Sequence, residues 1–357
     1  MPAKLKDDWE GLKATLLSDD SNWSVWIDWY EDRLVGRPLI EEIEIGDPQN
    51  GQYGRVSFPA EMYKDPPKLN AALKEVIDKY WEKQLQQNPS AEVFDLTPEM
   101  KIVSATQSSG LGLTVTPQQQ EWYNEFRGSV DEALQSGGNA LGAAKRSLEQ
   151  LLAVLPENME GGRVPPVFRN TNRLRRTLEA HKKVADSTEG FEPNRLSPDT
   201  AHALEDVVES FNNFRIGDDG LMQAEANAVG PQEVEDIREA NLLLESIIFD
   251  GVQQELIVGE AAEVLPEIIN EERNEIATQN HILGRMATEQ NRRTLLNFAK
   301  SVLVGMRNID KGIANSATGI TVFTTVVLAN APNLIKFLGQ FSTGLKELAQ
   351  RLLTGLA

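Results

Sequence analysis

KGIANSATGITVFTTVVLANAPNLIK, from Lys311 to Lys336, holds 24 residues between its two lysines without a single charge. The rest of the chain is dense in charge, so this run sets the terms on which everything else is read. As one helix it would extend about 36 Å, enough to cross a hydrocarbon core of roughly 30 Å. Its apolar centre is Ile320, Val322, Phe323, Val326, Val327 and Leu328, the residues expected to meet lipid. Arg292, Arg293, Lys300, Arg307 and Lys311 crowd its N-terminal side, the asymmetry that marks a cytoplasmic flank. Against insertion stand Asn315, Ser316, Thr318, Thr321, Thr324, Thr325 and Asn330. Threonine can bond back to its own helix, whereas asparagine is costly in lipid. The competing reading is a helix or strand buried in a protein core.

Beyond the run, Pro332 suits the first turn of a new helix, with Asn330 or Ala331 before it. Leu334, Leu338, Phe341, Leu345, Leu348 and Leu352 then recur at alternating spacings of four and three. That stripe predicts a core-facing helix, an interfacial helix or a seam between two copies of the chain. Gly339 and Gly344 each weaken its helicity by about 1 kcal/mol.

Charge divides the chain. Of 357 residues with a net charge of −19, residues 292–357 hold eight Lys/Arg against two acids, net +6. The remainder carries net −25. An acidic body repels nucleic acid and anionic membrane surfaces, and a basic tail is attracted to both. No cysteine is present, which excludes disulfides, thiolate metal sites and a cysteine nucleophile. The first residues, MPAKLKDDWEGLK, are charged and lack the apolar stretch of a secretory signal. Two locations fit: an inner membrane with a cytoplasmic body, or the cytoplasm.

Residues 1–90 read as a Trp-rich helical N-terminal module. Leu5, Trp9, Leu12 and Leu16 mark a first helix; WSVWIDWYEDRLVG, residues 23–36, marks a second. Trp23 and Trp26 share a face with Ile27, with Trp29 beside it: a small aromatic core, or a face for docking a protein partner. The W-x-x-W-x-D-W-Y-E-x-R-L-x-G run resembles a segment of an uncharacterised modular family of bacterial, chiefly proteobacterial, proteins. The resemblance covers about 40 residues. It implies a bacterial, modular protein and carries no catalytic residue with it.

A helix is expected from Lys68 to Gln87. Residues 91–116 change character: VFDL, MKIV and LGLTV are short β-type runs separated by Thr97-Pro98 and Ser108-Ser109-Gly110, read as a small β-hairpin or extended segment. Residues 117–291 read as an acidic α-helical body, with helices expected over Pro117–Leu134, Ala140–Leu155, Asn172–Val184, Asp199–Phe214, Gln232–Gly251 and Val252–Arg293. The fold class is therefore mostly α, ending in an apolar C-terminal helical hairpin.

Catalytic signals are sparse. His181, His202 and His281 stand in no metal-binding spacing, and there is no nucleotide loop or nucleophile elbow. Neither a cofactor nor a metal ligand is expected. NRLRR, residues 172–176, is the densest basic run of the body; it is read as a solvated helix face pairing with nearby acids, with anion recognition as the alternative. Nothing interleaves aromatic residues with it, so nucleic acid is not an expected partner. Two functions remain. One is a non-enzymatic membrane-associated protein, its helical body anchored or made membrane-perturbing by the C-terminal segment. The other is a soluble all-α scaffold with those helices buried in its core. Expected partners are a lipid bilayer or anionic membrane surface, a protein at the N-terminal module, and a second copy at the C-terminal helix.

Overall fold

The structure, a computed structural model, describes residues 3–19, 23, 27, 65–88, 91–105, 116–137, 141–142, 144–157, 159, 164–186, 196–274 and 282–356. It is mostly helical with one small antiparallel sheet, the expected class. The chain divides into two compact units: residues 1–86 with 342–348, and residues 87–341 with 349–357.

In the first unit, α1 runs Ala3–Asp19 and α2 runs Pro66–Leu85. The start of α2 follows from its sequence: Asp65 accepts a hydrogen bond from the Lys68 amide, and prolines occupy the first turn, where an N–H would have no partner. Ile27 is buried and Trp23 partly so. Trp26 and Trp29 lie outside the described residues.

In the second unit, β1 (Phe94–Leu96) pairs antiparallel with β2 (Ile102–Ser104) in the register Phe94↔Ser104, Asp95↔Val103, Leu96↔Ile102. Thr97-Pro98-Glu99-Met100 makes the turn, with Met100 at φ 64. Strand β2 has a second neighbour on its other side. The Ile102 amide donates to the Leu256 carbonyl at 2.7 Å, and the Val258 amide to the Ile102 carbonyl at 3.1 Å, a parallel bridge. The expectation of continuous helix from Val252 to Arg293 is corrected here. Leu256-Ile257-Val258 is extended because β2 offers it hydrogen bonds that local periodicity does not reveal. Residues 111–115, the third β-type run, lie outside the described residues.

Four helices follow: α3 (Pro117–Gly137), α4 (Ala144–Val154), α5 (Val164–Asp186) and α6 (Pro198–Gly217). Apolar residues at helical spacing bring α3 and α6 into the most extensive helix packing among the described residues. Phe126 stacks on Phe214 at 5.9 Å, and Tyr123, Phe168 and Phe211 complete an aromatic centre. Ser197 caps α6 by accepting from the Thr200 amide at 3.1 Å. Helix α5 starts before the expected Asn172, and its Pro165 and Pro166 sit in its first turn, where proline is tolerated.

The remaining elements are α7 (Asp219–Ala226), α8 (Val234–Leu242), α9 (Glu245–Gln253), α10 (Glu260–Asn274), α11 (Ile282–Asp310), α12 (Ala317–Ala329), α13 (Ala331–Gly339) and α14 (Thr343–Leu356). Helix α11 is the hub: it packs on α5, α7, α8, α10, α12, α13 and β1. It runs unbroken across the 291/292 step in charge, so that step is not a break in the backbone.

Helix α11 is also buried nearly all round, polar residues included. Asn297 donates to the Asn88 and Glu92 carbonyls at 2.9 and 2.8 Å and accepts from the Asn88 amide at 2.8 Å. Ser301 donates to the Phe94 carbonyl at 2.8 Å, and Gln87 brackets Phe94 from both sides, donating to its carbonyl and accepting from its amide. This clasp fixes Gln87, Asn88 and residues 92–94, and with them the β-hairpin, onto α11.

Candidate functional site

The uncharged run is not one helix. Gly312, at φ 66, closes α11, and Ser316 caps α12 by accepting from the Gly319 amide at 3.1 Å. Helix α12 ends at Ala329 and α13 starts at Ala331 with Pro332 in its first turn, as Pro332 predicted. The two helices meet at 68°. Among the described residues no single helix is long and apolar enough to cross a membrane; α12 and α13 satisfy the length and composition only as a pair.

Three fittings hold the pair. A Cβ at Gly319 would collide with the Glu99 carbonyl, so the first turn of α12 lies directly against the β-turn. A Cβ at Gly305 would collide with the Phe323 ring, so Phe323 sits in a notch that glycine leaves on α11. At the bend, buried Asn330 donates through Nδ2 to Asp250 Oδ2 of α9 and to the Val326 carbonyl, both at 2.9 Å.

The expected lipid-facing residues divide. Phe323, Val326 and Val327 are buried, while Ile320, Val322 and Leu328 are half-buried. The outward stripe is Thr318, Thr321, Thr325 and Ala329. Its hydroxyls at 321 and 325 are satisfied within the helix: Thr321 donates to the Ala317 carbonyl at 3.0 Å and Thr325 to the Thr321 carbonyl at 2.8 Å. Those two hydroxyls are therefore bonded along their own helix.

The leucine stripe is also broken. Leu334 and Leu338 are buried on α13, Leu345, Leu348 and Leu352 on α14, and Phe341 is half-buried in the turn between them. The single helix expected through them is corrected: it stops at Gly339, where a glycine and a following turn outweigh the apolar spacing. Phe341 packs against Phe337 at 5.0 Å, and the Arg292 guanidinium lies 4.6 Å from its ring. Of the cations ahead of the run, Arg292 and Arg293 both pair with Glu289. Lys300 is half-buried, and desolvation lowers its pKa.

The basic run on α5 pairs with acids, as expected, but it is not solvated. Arg169 and Arg175 are buried and Arg173 nearly so. Arg173 reaches Glu267 at 3.0 Å and also binds Glu271; Arg175 binds Glu179 at 2.6 Å and Asn172; Arg169 faces Glu92 at 3.5 Å. Burial of Arg173 opposes its charge, but Glu271 and Glu267 outweigh that and hold the guanidinium above its ordinary pKa. The expectation of a solvated face fails because carboxylates from α10 and segment 91–93 cover it, an arrangement invisible in local sequence.

Sequence reasoning also missed Glu272. Its carboxyl is buried; Oε1 accepts from Asn291 at 2.8 Å, and Oε2 has no hydrogen-bond partner. Burial pushes its pKa up to about 8, with the Asn291 hydrogen bond opposing and the Glu271 charge adding. Arg238 is spent on the Glu272 backbone carbonyl rather than on its carboxylate. One acid among the three of EERNE, residues 271–275, gave no signal, because burial there depends on α8 and α11. Of the histidines, His181 is half-buried, His202 is exposed beside Glu205, and His281 lies outside the described residues. No cluster of three metal-ligating side chains occurs among the described residues.

No family model, curated protein or solved structure matches the chain, so the likeness of the tryptophan segment to bacterial modular proteins remains an expectation from its sequence.

Proposed function

We propose that the chain is a non-enzymatic, membrane-associated protein whose C-terminal apolar pair, residues 317–339, is sheltered in the folded state and enters a bilayer when the body loosens. The observation that carries this reading is the outward stripe of α12. A helix whose exposed face is threonine and alanine, with no charge on it and the Thr321 and Thr325 hydroxyls bonded to its own backbone, is one that lipid can accept. The apolar length of the pair, whose one charge is Lys336 near its end, and the cations on either side, Arg307 and Lys311 before it and Lys346 after it, fit a bilayer core with its headgroups. Anionic lipid is the expected surface, and the location is an inner membrane bearing a cytoplasmic body.

The second reading is a scaffold in which these helices remain permanently core. It draws on the burial of Phe323, Val326, Val327, Leu334, Phe337 and Leu338. Docking of a protein at the tryptophan segment and pairing of copies through α14 belong to either reading.

Thr325→Arg separates the two. Thr325 is exposed, so the folded body accepts arginine there, whereas a charge at the centre of an inserted helix is unfavourable by about 2.5–3.5 kcal/mol. Val326→Arg would not discriminate, because that side chain is buried and its loss would damage the fold itself. In a urea series, the full chain should co-sediment with phosphatidylglycerol vesicles once loosened, and Thr325→Arg should not. Equal behaviour of both chains, bound or unbound, would leave the scaffold reading.

A further inference from the structure

The bend itself decides whether residues 317–339 can span a bilayer, and at the bend a hydrogen bond between side chains ties Asn330 to Asp250 of α9. Alone, α12 is about 20 Å long and α13 about 14 Å, both short of a hydrocarbon core near 30 Å. Joined, they reach about 34 Å.

We propose that the Asp250–Asn330 hydrogen bond is a latch that keeps the pair bent, and that its loss lets α12 and α13 join into one membrane-spanning helix. This rests on the membrane reading above and names its regulation.

Three observations support it. The first is that the junction is one residue wide. Asn330 has φ −108 and ψ 7, in the bridge region next to helical values, and the Leu334 amide already donates to the Asn330 carbonyl at 3.1 Å as in a helix. Joining the helices therefore needs a rotation of about 50° in each dihedral of a single residue.

The second is that Asn330 ties the pair to α9 by a side-chain hydrogen bond. Its Nδ2 is buried between Asp250 Oδ2 of α9 and the Val326 carbonyl. In the joined helix the bond to Val326, four residues back, survives, and only the bond to Asp250 is lost. The asparagine therefore enters lipid with one donor already satisfied by its own helix, which lessens the cost of an amide there.

The third is Pro332. It has no N–H to give the Leu328 carbonyl, so the joined helix stays kinked, as transmembrane helices tolerate. A 68° turn is sharper than such a proline kink needs, and the Asp250–Asn330 bond at the shared cap residue is what the latch adds to it. Lys336, three residues from the end of the joined helix, reaches the headgroups by extending its stem.

The test uses the full chain and vesicles of equal parts phosphatidylglycerol and phosphatidylcholine. Unfolding is followed by far-UV circular dichroism and binding by co-sedimentation, both against urea. Wild type should bind at or just before unfolding. Asp250→Ala should bind at clearly lower urea, opening a gap between binding and unfolding. Asp250→Asn keeps an acceptor for Asn330 and should restore the wild-type gap. Leu148→Ala, in the core of the α3–α6 bundle, should move both midpoints down together. Asp250→Ala combined with Thr325→Arg should not bind. If Asp250→Ala moves binding and unfolding together, as Leu148→Ala does, the latch is wrong while the membrane reading stands. If wild type and Asp250→Ala both fail to bind at every urea concentration, the membrane reading itself falls, and the latch with it.

Discussion

Helices α11 and α12 exchange the roles their compositions suggest. Helix α11 carries arginines, asparagines, threonines and a lysine, yet it is the buried hub of its unit. Helix α12 carries no charge at all and yet keeps a face to the outside. In α11, buried polar residues have partners on other segments: Asn297 on Asn88 and Glu92, Ser301 on Phe94, Asn291 on Glu271 and Glu272. Such groups are costly unless bonded, and once bonded they fix one arrangement. For α12, the notch at Gly305 of α11 and the close approach at Gly319 fix two contacts, and the outer face is left to threonine and alanine. The comparison teaches that composition alone does not decide burial here: hydrogen-bond partners on distant segments let polar α11 lie inside, while α12 buries only Phe323, Val326 and Val327.

Breaking the α11 side should have the largest effects. Phe298 is fully buried, edge-on to Phe94 at 6.2 Å, so Phe298→Ala should destabilise the second unit by about 3–5 kcal/mol in urea unfolding. Asn297→Ala leaves two carbonyls and an amide of the clasp without their partner; about 2–3 kcal/mol should be lost, and exchange of the Asn88 amide should rise before global unfolding.

Glu272 adds a pH term whose sign is fixed by its raised pKa. Its folded state holds the proton more tightly than the unfolded chain, so this stabilisation is full below the ordinary carboxylate range and is lost as pH rises to about 8. Between pH 7 and 9 the loss is about 1 kcal/mol. Glu272→Gln should flatten that slope; a slope equal to wild type would show that Glu272 is not the titrating group. The smallest effect belongs to α12: Thr325→Arg should leave stability within about 0.5 kcal/mol, because the site is exposed. A larger loss would mean that the outer face is packed after all.

Much of this was legible in the sequence. Periodicity placed α3 and α6, Pro332 placed the start of α13, and the alternation around Thr97-Pro98 placed β1 and β2. These features depend on neighbours within a few residues. What was not legible depends on distant ones. The bend at Asn330 involves Asp250, the third extended segment at Ile257 requires Ile102, and the buried arginines of α5 require Glu92, Glu267 and Glu271. A run of 24 uncharged residues reports length and composition, and neither one records an acid 80 positions upstream.

The chain has no cysteine, so a single one introduced at Thr325 can carry an environment-sensitive fluorophore on the exposed face of α12. The most direct measurement is its emission in the full chain, folded and then loosened by urea, with phosphatidylglycerol vesicles that contain quenchers placed deep in the acyl chains. The account predicts an aqueous spectrum in the folded protein, then a blue shift and strong deep-quencher quenching on loosening. A spectrum that stays aqueous and unquenched across the whole series would contradict it.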